Sequence, residues 1–174
     1  MITPAVVDYY GQCVDGLIEY LRLMTPWIMY EWQVTRNDAK IAKGADYFIF
    51  FRPGNFNIIG PTPASANAMV KDYDWQAIAD IYSRYTEYET SWQKFEAFRA
   101  AIIFYININP SLAMYKQSTS TSFLPVPGLF GVNVEANGEA LPFESTKNLG
   151  AFIVQPLRFT MRQRVKFPLY VKRS

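Results

Sequence analysis

The sequence predicts an α+β fold, in which a mostly antiparallel sheet has two helices packed on one face and long loops extending from it. Three observations support this prediction. Two segments have apolar residues at helical spacing, several others are rich in aromatic and β-branched residues, and turn signals rather than repeated crossover helices separate the strands. Because no internal repeat or domain linker is visible, residues 1–174 are expected to form a single domain.

Each of the two predicted helices follows from a stripe of apolar residues. The first helix covers about residues 4–24 and begins at a Thr3 cap. The second begins where Thr86-x-x-Glu89 has the form of a capping box, and it runs to about Ile106. One face of the second helix is formed by Tyr88, Trp92, Phe95, Phe98, Ile102 and Tyr105.

The strands are predicted from short apolar runs and from alternation. The run at residues 45–51 is expected to be covered on both faces. The pair Asn137-Gly138 suits the type I′ turn of a hairpin, and Pro156 is expected to force an edge position or a bulge. Residues 60–68 are expected to form a loop. The predicted strands cover residues 27–34, 45–51, 75–85, 132–135 and 152–167.

The last predicted strand separates charge between its two faces. From Leu157 to Phe167 apolar residues alternate with polar, mostly basic ones, and only Gln163 interrupts the apolar series. Residues 151–174 contain six Lys and Arg and no acid, whereas the other 150 residues contain 11 basic and 15 acidic residues. Such asymmetry indicates a partner. The alternative is the solvated side of an edge strand, whose bases discourage aggregation. The candidate interaction residues on this basic face are Arg158, Arg162, Arg164 and Lys166.

Composition removes the common catalytic constellations. The chain has no histidine and one cysteine, Cys13, which excludes Ser-His-Asp and Cys-His chemistry, zinc clusters and an intramolecular disulfide. Neither GxxxxGK[ST] nor GxGxxG occurs. The carboxylates of Asp72, Asp74 and Asp80 suit Mg²⁺ binding or acid–base catalysis, but they equally suit a solvated turn. We therefore expect no enzyme activity, no cofactor and no metal.

A polar segment is the second candidate interaction site. Residues 111–128 contain a run of hydroxyl and amide side chains, and they lack the apolar periodicity needed to dock on a core. We expect this segment, together with residues 53–70, to make intermolecular contacts. The candidate loop residues are Gln117, Ser118, Thr119, Ser120, Thr121 and Ser122.

Composition also favours an oligomer in a reducing compartment. Aromatic residues make up 17% of the chain and include 12 tyrosines, which suit interfaces that are dry on one side and wet on the other. The first residues lack the cationic segment of a signal peptide. No window reaches the roughly 18 uninterrupted apolar residues that a membrane helix needs. We expect a protein made in the cytoplasm and assembled there into something larger.

The order of elements along the chain follows a recognisable plan. An N-terminal helix precedes the apolar strand Asp46–Phe51, and a strand with the sequence Tyr-Asp-Trp-Gln-Ala-Ile-Ala-Asp-Ile-Tyr, residues 73–82, leads directly into a long helix. A final hairpin ends in the alternating strand Gly150–Phe167. Over nearly the whole chain this order resembles that of the tail terminator (tail-completion) proteins of long-tailed bacteriophages.

The resemblance implies an architectural role. Such proteins form a hexameric ring that caps the tail tube, ends its growth and joins it to the head-side connector or neck protein. It implies a virion protein of the tail or neck, assembled in the host cytoplasm, whose lumen DNA passes through and which contacts no membrane. The alternatives are a head-completion, connector or tail-tube protein of the same particle, a small non-specific nucleic-acid-binding protein, and an enzyme that uses Asp72 and Asp74.

In such a ring the basic face would be repeated as a positive band. The band would either line the DNA channel or meet acidic residues of a neighbouring subunit or ring. Because arginine binds carboxylates as well as phosphates, residue type does not choose between these partners. Tight phosphate binding would hinder sliding DNA, so we favour protein contacts.

Overall fold

The computed structural model describes residues 8–24, 32–35, 46–52, 59–62, 70–112, 126–144 and 150–166. These ranges contain two helices and seven strands of one sheet. The helices are α1 (Tyr9–Met24) and α2 (Tyr88–Ile108). The strands are β1 (Trp32–Thr35), β2 (Tyr47–Phe51), β3 (Ile59–Thr62), β4 (Val70–Arg84), β5 (Leu129–Ala136), β6 (Leu141–Glu144) and β7 (Ala151–Lys166). Of the pairings among them, β1–β2 is parallel and the others are antiparallel, which confirms the α+β prediction of a mostly antiparallel sheet.

Two long strands form the centre of the sheet. β4 and β7 pair along nearly their whole lengths, from Val70 opposite Lys166 to Arg84 opposite Phe152. Each is flanked on its other side by two short strands in succession, β2 and β3 beside β4, and β5 and β6 beside β7. Every short strand is therefore held by one of the two central strands or, for β1, by β2.

Both helices pack on the same face of this sheet. The odd-numbered residues of β4 and β7 point toward the helices. For example, the ring of Trp75 on β4 lies 6.1 Å from the ring of Tyr10 on α1, measured between centroids. The Phe98 ring of α2 lies 5.0 Å from that of Tyr47. Fully buried residues at this interface include Leu17, Leu21, Phe95, Ile102, Ala79, Ile81, Leu157, Phe159 and Met161. The helix placement agrees with the predicted architecture.

The helix starts differ from those predicted. α1 begins at Tyr9 rather than at residue 4, because Asp8 caps it by accepting a hydrogen bond from the Gly11 N–H at 2.8 Å; the Thr3 start lies outside the described residues. The prediction of a capping box at the start of α2 is wrong. Glu87 is the N-cap residue, and the Ser91 hydroxyl oxygen accepts hydrogen bonds from the backbone N–H groups of residues 86 and 87 at 3.0 and 3.1 Å.

The predicted Asn137-Gly138 hairpin is also wrong. β5 and β6, which flank this pair, do not pair with each other but follow one another along the same side of β7. The pair lies at the break between them, where the Asn137 N–H donates to the Pro156 carbonyl at 2.9 Å. Pro156 is not on an edge strand, because β7 lies between β4 and β5–β6. A proline is tolerated there because the neighbouring ladder is interrupted.

Several strands begin or end at residues other than those predicted. Residues 59–62, partly assigned to a loop, form β3, an outer strand in which the missing N–H of Pro61 is tolerated. β4 begins at Val70, five residues before the predicted start. β2 is covered on both faces as predicted, since Phe48 and Ile49 are both buried. Of the predicted strand at 27–34, residues 27–31 lie outside the described residues.

Candidate interaction surface

The face of the sheet opposite the helices is the candidate site, and we call it the open face. Even-numbered residues of β4 and β7 form it, and no described helix or strand packs over it. It divides along the strands into two parts. The charged half contains Asp72, Asp74, Glu135, Arg158, Arg162, Arg164 and Lys166. The apolar half contains Phe48, Tyr82, Leu141, Phe143, Phe152 and Val154.

The charged half brings the predicted basic residues together with acids from two neighbouring strands. Arg164 lies directly opposite Asp72 and binds it through two hydrogen bonds, Nε to Oδ1 at 2.7 Å and Nη2 to Oδ2 at 2.9 Å. Arg162 lies opposite Asp74, with 3.5 Å between Nε and Oδ1. These cross-strand pairs neutralise much of the positive charge that the sequence of β7 carries by itself.

Arg158 is engaged on the other side of β7. Its Nη1 lies 3.4 Å from Oε1 of Glu135, the residue opposite it on β5, and its Nε donates to the Asn137 side-chain oxygen at 3.1 Å. Lys166 differs, because the residue opposite it is the apolar Val70. The basic series therefore ends in a lysine without an acid in the cross-strand position.

The acidic group proposed from the sequence is divided among separate arginines. Asp80 is buried and accepts two hydrogen bonds from Arg52, at 2.8 Å from Nε and 2.7 Å from Nη2. Together with the pairs at Asp72 and Asp74, this commits all three carboxylates to ion pairs. Within the described residues no group of three or more Asp, Glu, His or Cys residues could hold a metal ion.

Electrostatics at the strongest pair favour the charged forms. The two hydrogen bonds from Arg164 hold the pKa of Asp72 below its ordinary value, and the same contact raises the pKa of Arg164. The Arg164 guanidinium also lies 5.7 Å from the centroid of the Phe130 ring, within the range of a cation–π contact. Arg164 is thereby held in one orientation on the face.

A cleft of about 770 Å³ lies at the end of the sheet where α1 begins and β7 ends. The described residues that line it are Tyr9, Pro127, Gly128, Leu129, Phe130, Arg164, Val165 and Lys166. Its ionisable side chains are a tyrosine, a lysine and the arginine already bound to Asp72. This set contains no acid–base pair for catalysis.

The apolar half is built around stacked aromatic rings. Phe48 stacks on Tyr82 with 4.2 Å between centroids, and Phe152 meets the Phe48 ring edge-on at 5.3 Å. At the margin of this cluster, Leu141 and Phe143 of β6 are 58% and 49% exposed. These two residues are not among the sequence-predicted site residues, because no strand is predicted at residues 141–144.

Two further candidates from the sequence are the polar loop and the cysteine. Residues 117–122, the proposed interaction loop, lie outside the described residues, so their role stays a prediction. Cys13 is fully buried in the core, and this burial raises the pKa of its thiol to about 12. A thiol held in its neutral form is a poor nucleophile, in agreement with a packing role for Cys13.

Comparison with known proteins assigns no family to this fold. No protein-family model matches the sequence, and no curated protein matches it significantly. Neither of the two described helices is long and apolar enough to cross a membrane.

Proposed function

We propose that this protein is a structural virion component, a tail terminator that forms a ring on the phage tail tube, ends tube growth and joins the tube to the head-side connector or neck protein. The observation that supports the proposal most is the open face. One margin of this sheet face bears the exposed apolar side chains of Leu141 and Phe143, and the face also carries an ordered array of charges; this combination is typical of a surface that meets another protein.

The pattern of ion pairs bears on which partner meets the charged half. Binding to DNA is driven by unneutralised Lys and Arg, whose contacts release counterions from the phosphates. Arg158, Arg162 and Arg164 each have an acid within 4 Å on a neighbouring strand. This alternation of charges favours a protein partner over phosphates, in line with the preference stated from the sequence.

The other candidate functions are less well supported. A head-completion, connector or tail-tube protein of the same particle would use the same kind of surface, and it remains the alternative. A non-specific nucleic-acid-binding protein is disfavoured by the paired arginines. An enzyme that uses Asp72 and Asp74 is disfavoured because both carboxylates are held by arginine.

The oligomeric mass tests the proposal directly. Light scattering coupled to size exclusion should give a discrete species of about six times the 20.0 kDa protomer, either alone or together with purified tail tubes. Leu141→Lys with Phe143→Lys should abolish this species, because two charges would replace apolar side chains at the margin of the face.

Tyr88→Lys provides the matched control, since Tyr88 is 70% exposed at the start of α2 on the other side of the sheet. The control should assemble normally. A protein that is strictly monomeric, both alone and in its native particle, would overturn the proposal.

A further inference from the structure

The cleft at the end of the sheet has the size and the lining of a small-molecule site. Its volume of about 770 Å³ lies within the range of about 300–1,000 Å³ that is typical of ligand pockets. Buried Leu129 and Val165 contribute apolar surface, and so does the ring of Phe130, which is 48% exposed. Such a lining favours a ligand with an apolar or aromatic group.

The charged groups of the cleft are cationic. Among the described lining residues the charged side chains are those of Arg164 and Lys166, and no carboxylate is present. The segments that adjoin the lining residues along the chain, residues 1–7, 113–125 and 167–174, contain no Asp or Glu either. Positive charge therefore lies beside the apolar surface, which favours a ligand that carries an anionic group next to its apolar one.

Two acids close to the lining residues have partners of their own. Asp8, which precedes Tyr9 in the chain, accepts a hydrogen bond from the Gly11 N–H, and its charge faces the partial positive charge at the start of α1. Asp72 is bound by Nε and Nη2 of Arg164, and these two residues neutralise each other.

The remaining charge in the cleft is that of one lysine. Among the described residues no acid pairs with Lys166, which lies opposite the apolar Val70. The Nη1 donors of Arg164 are not used by Asp72, so they remain for a ligand. One uncompensated positive charge suits a monoanion such as a carboxylate better than a phosphate monoester, which carries about −1.5 to −2 charges at pH 7.

We propose that the cleft binds a small apolar carboxylate, with the carboxylate group at Lys166 and Arg164. The apolar group of the ligand lies against Phe130 and Leu129. Because Asp72 holds the Arg164 guanidinium in place, one of the two cationic groups is positioned before the ligand arrives. All of these residues belong to one chain, so the site goes beyond the proposed ring and does not depend on it.

A matched set of small ligands tests the chemistry of the site. Naphthylacetate, titrated against the full-length protein in ligand-observed NMR, should bind saturably with a Kd of about 1 mM or lower. Naphthylacetamide has nearly the same shape without the charge, and acetate has the charge without the ring. Each should bind at least about tenfold more weakly. Naphthyl phosphate should bind no more tightly than naphthylacetate.

Variants of the lining residues test the location. Lys166→Gln should weaken the binding of naphthylacetate about tenfold and Phe130→Ala about fivefold, because each removes one of the two kinds of contact. Lys94→Gln is the matched control, since it makes the same change of charge at an exposed position of α2 that does not line the cleft. It should bind like the wild type. Lys166→Arg keeps the charge and should keep the affinity, which separates the loss of charge from a disturbance of the fold.

Four results would overturn the proposal. They are the absence of saturable naphthylacetate binding, equal affinities for naphthylacetate and its amide, unchanged binding by the Lys166→Gln or the Phe130→Ala variant, and tighter binding of naphthyl phosphate. The last result would show a preference for a more highly charged anion. None of these results bears on the light-scattering mass that tests the ring, so either proposal can fail without the other.

Discussion

The two faces of the central strands have different roles although their residues alternate along one chain. Phe159 points toward the helices, is fully buried and packs against the Phe51 ring at 5.6 Å between centroids. Its neighbour Arg158 points the other way and is paired with Glu135 at the surface. The covered face is apolar apart from a few hydrogen-bonded polar residues, whereas the charged half of the open face pairs acids with bases across neighbouring strands. The difference teaches that one side of β4 and β7 provides folding stability, which leaves the charged residues on the other side available for the recognition role that we propose.

The largest loss of stability is expected from a substitution that disrupts packing on the covered face. Phe159→Ala should lower the free energy of unfolding by about 3–5 kcal/mol, because the surrounding core cannot fill the cavity that is left. Chemical denaturation monitored by tryptophan fluorescence measures this. Thr160→Ala, the next residue along β7 and on the open face, should change stability by less than about 0.5 kcal/mol. Similar losses for the two variants would contradict the division between the faces.

A smaller loss is expected where the covered face is polar. The Gln163 side chain accepts a hydrogen bond from Trp75 Nε1 at 2.9 Å and donates one to the Pro127 carbonyl at 2.8 Å. Gln163→Leu keeps the volume but leaves both partners unpaired, so it should cost about 2 kcal/mol. Gln76→Leu, a glutamine on the open face, serves as the control and should be nearly neutral. Equal stability of the Gln163→Leu variant and the wild type would refute a structural role for this bridge.

Changes on the charged half should affect assembly more than folding. The double variant Arg162→Gln with Arg164→Gln should denature at nearly the wild-type temperature but assemble weakly, because the face loses its charge pattern. The exchange Asp72→Arg with Arg164→Asp keeps an ion pair while reversing its direction. This variant should also fold. It should weaken assembly if a partner protein recognises which of the two strands carries the acid and which carries the arginine. Normal assembly of both variants would make the charged half a solvated surface.

The smallest effect concerns the titration of one carboxyl group. Because the pKa of Asp72 is lowered in the folded protein, its pair with Arg164 stabilises the fold above the ordinary pKa of about 3.9. That contribution is lost as the pH falls through the lowered pKa. Arg164→Gln should raise the pKa of Asp72 in an NMR titration of the carboxyl carbon, whereas Arg162→Gln should leave it nearly unchanged. An Asp72 pKa that is insensitive to Arg164→Gln would disprove the assigned cause.

Local patterns were sufficient to predict the helices and the long strands. The alternation of β7 and the apolar stripe of α2 are properties of adjacent residues, and each follows from backbone geometry alone. The hairpin at Asn137-Gly138 failed because turn preference competes with tertiary pairing. β5 and β6 both pair with β7. Gly138, whose φ is 153°, therefore lies at the break between these two strands, opposite Pro156, and does not reverse the chain.

The candidate site was only partly predicted, because it too depends on pairing between distant parts of the chain. Alternation placed the arginines on one face, but their partners depend on strand register, which joins residues such as Asp72 and Arg164 across 92 positions of sequence. A signal was present, since two acids and two arginines each repeat at every second position in neighbouring strands. The exposed pair on β6 had no comparable signal, because four residues containing a proline do not indicate a strand.

The short outer strands are interrupted at staggered positions. β2 ends opposite Ala79 and β3 begins opposite Asp74, while the break between β5 and β6 lies beside residues 155 and 156 of β7. β5 runs beside the central strands where β2 and β3 are interrupted, and β2 runs beside them where β5 and β6 are interrupted. At least three strands therefore cross every row of the central pair from Asp72 to Arg84. The sheet therefore has no line along which it can fold over easily, and a load carried along the strands is shared at every level.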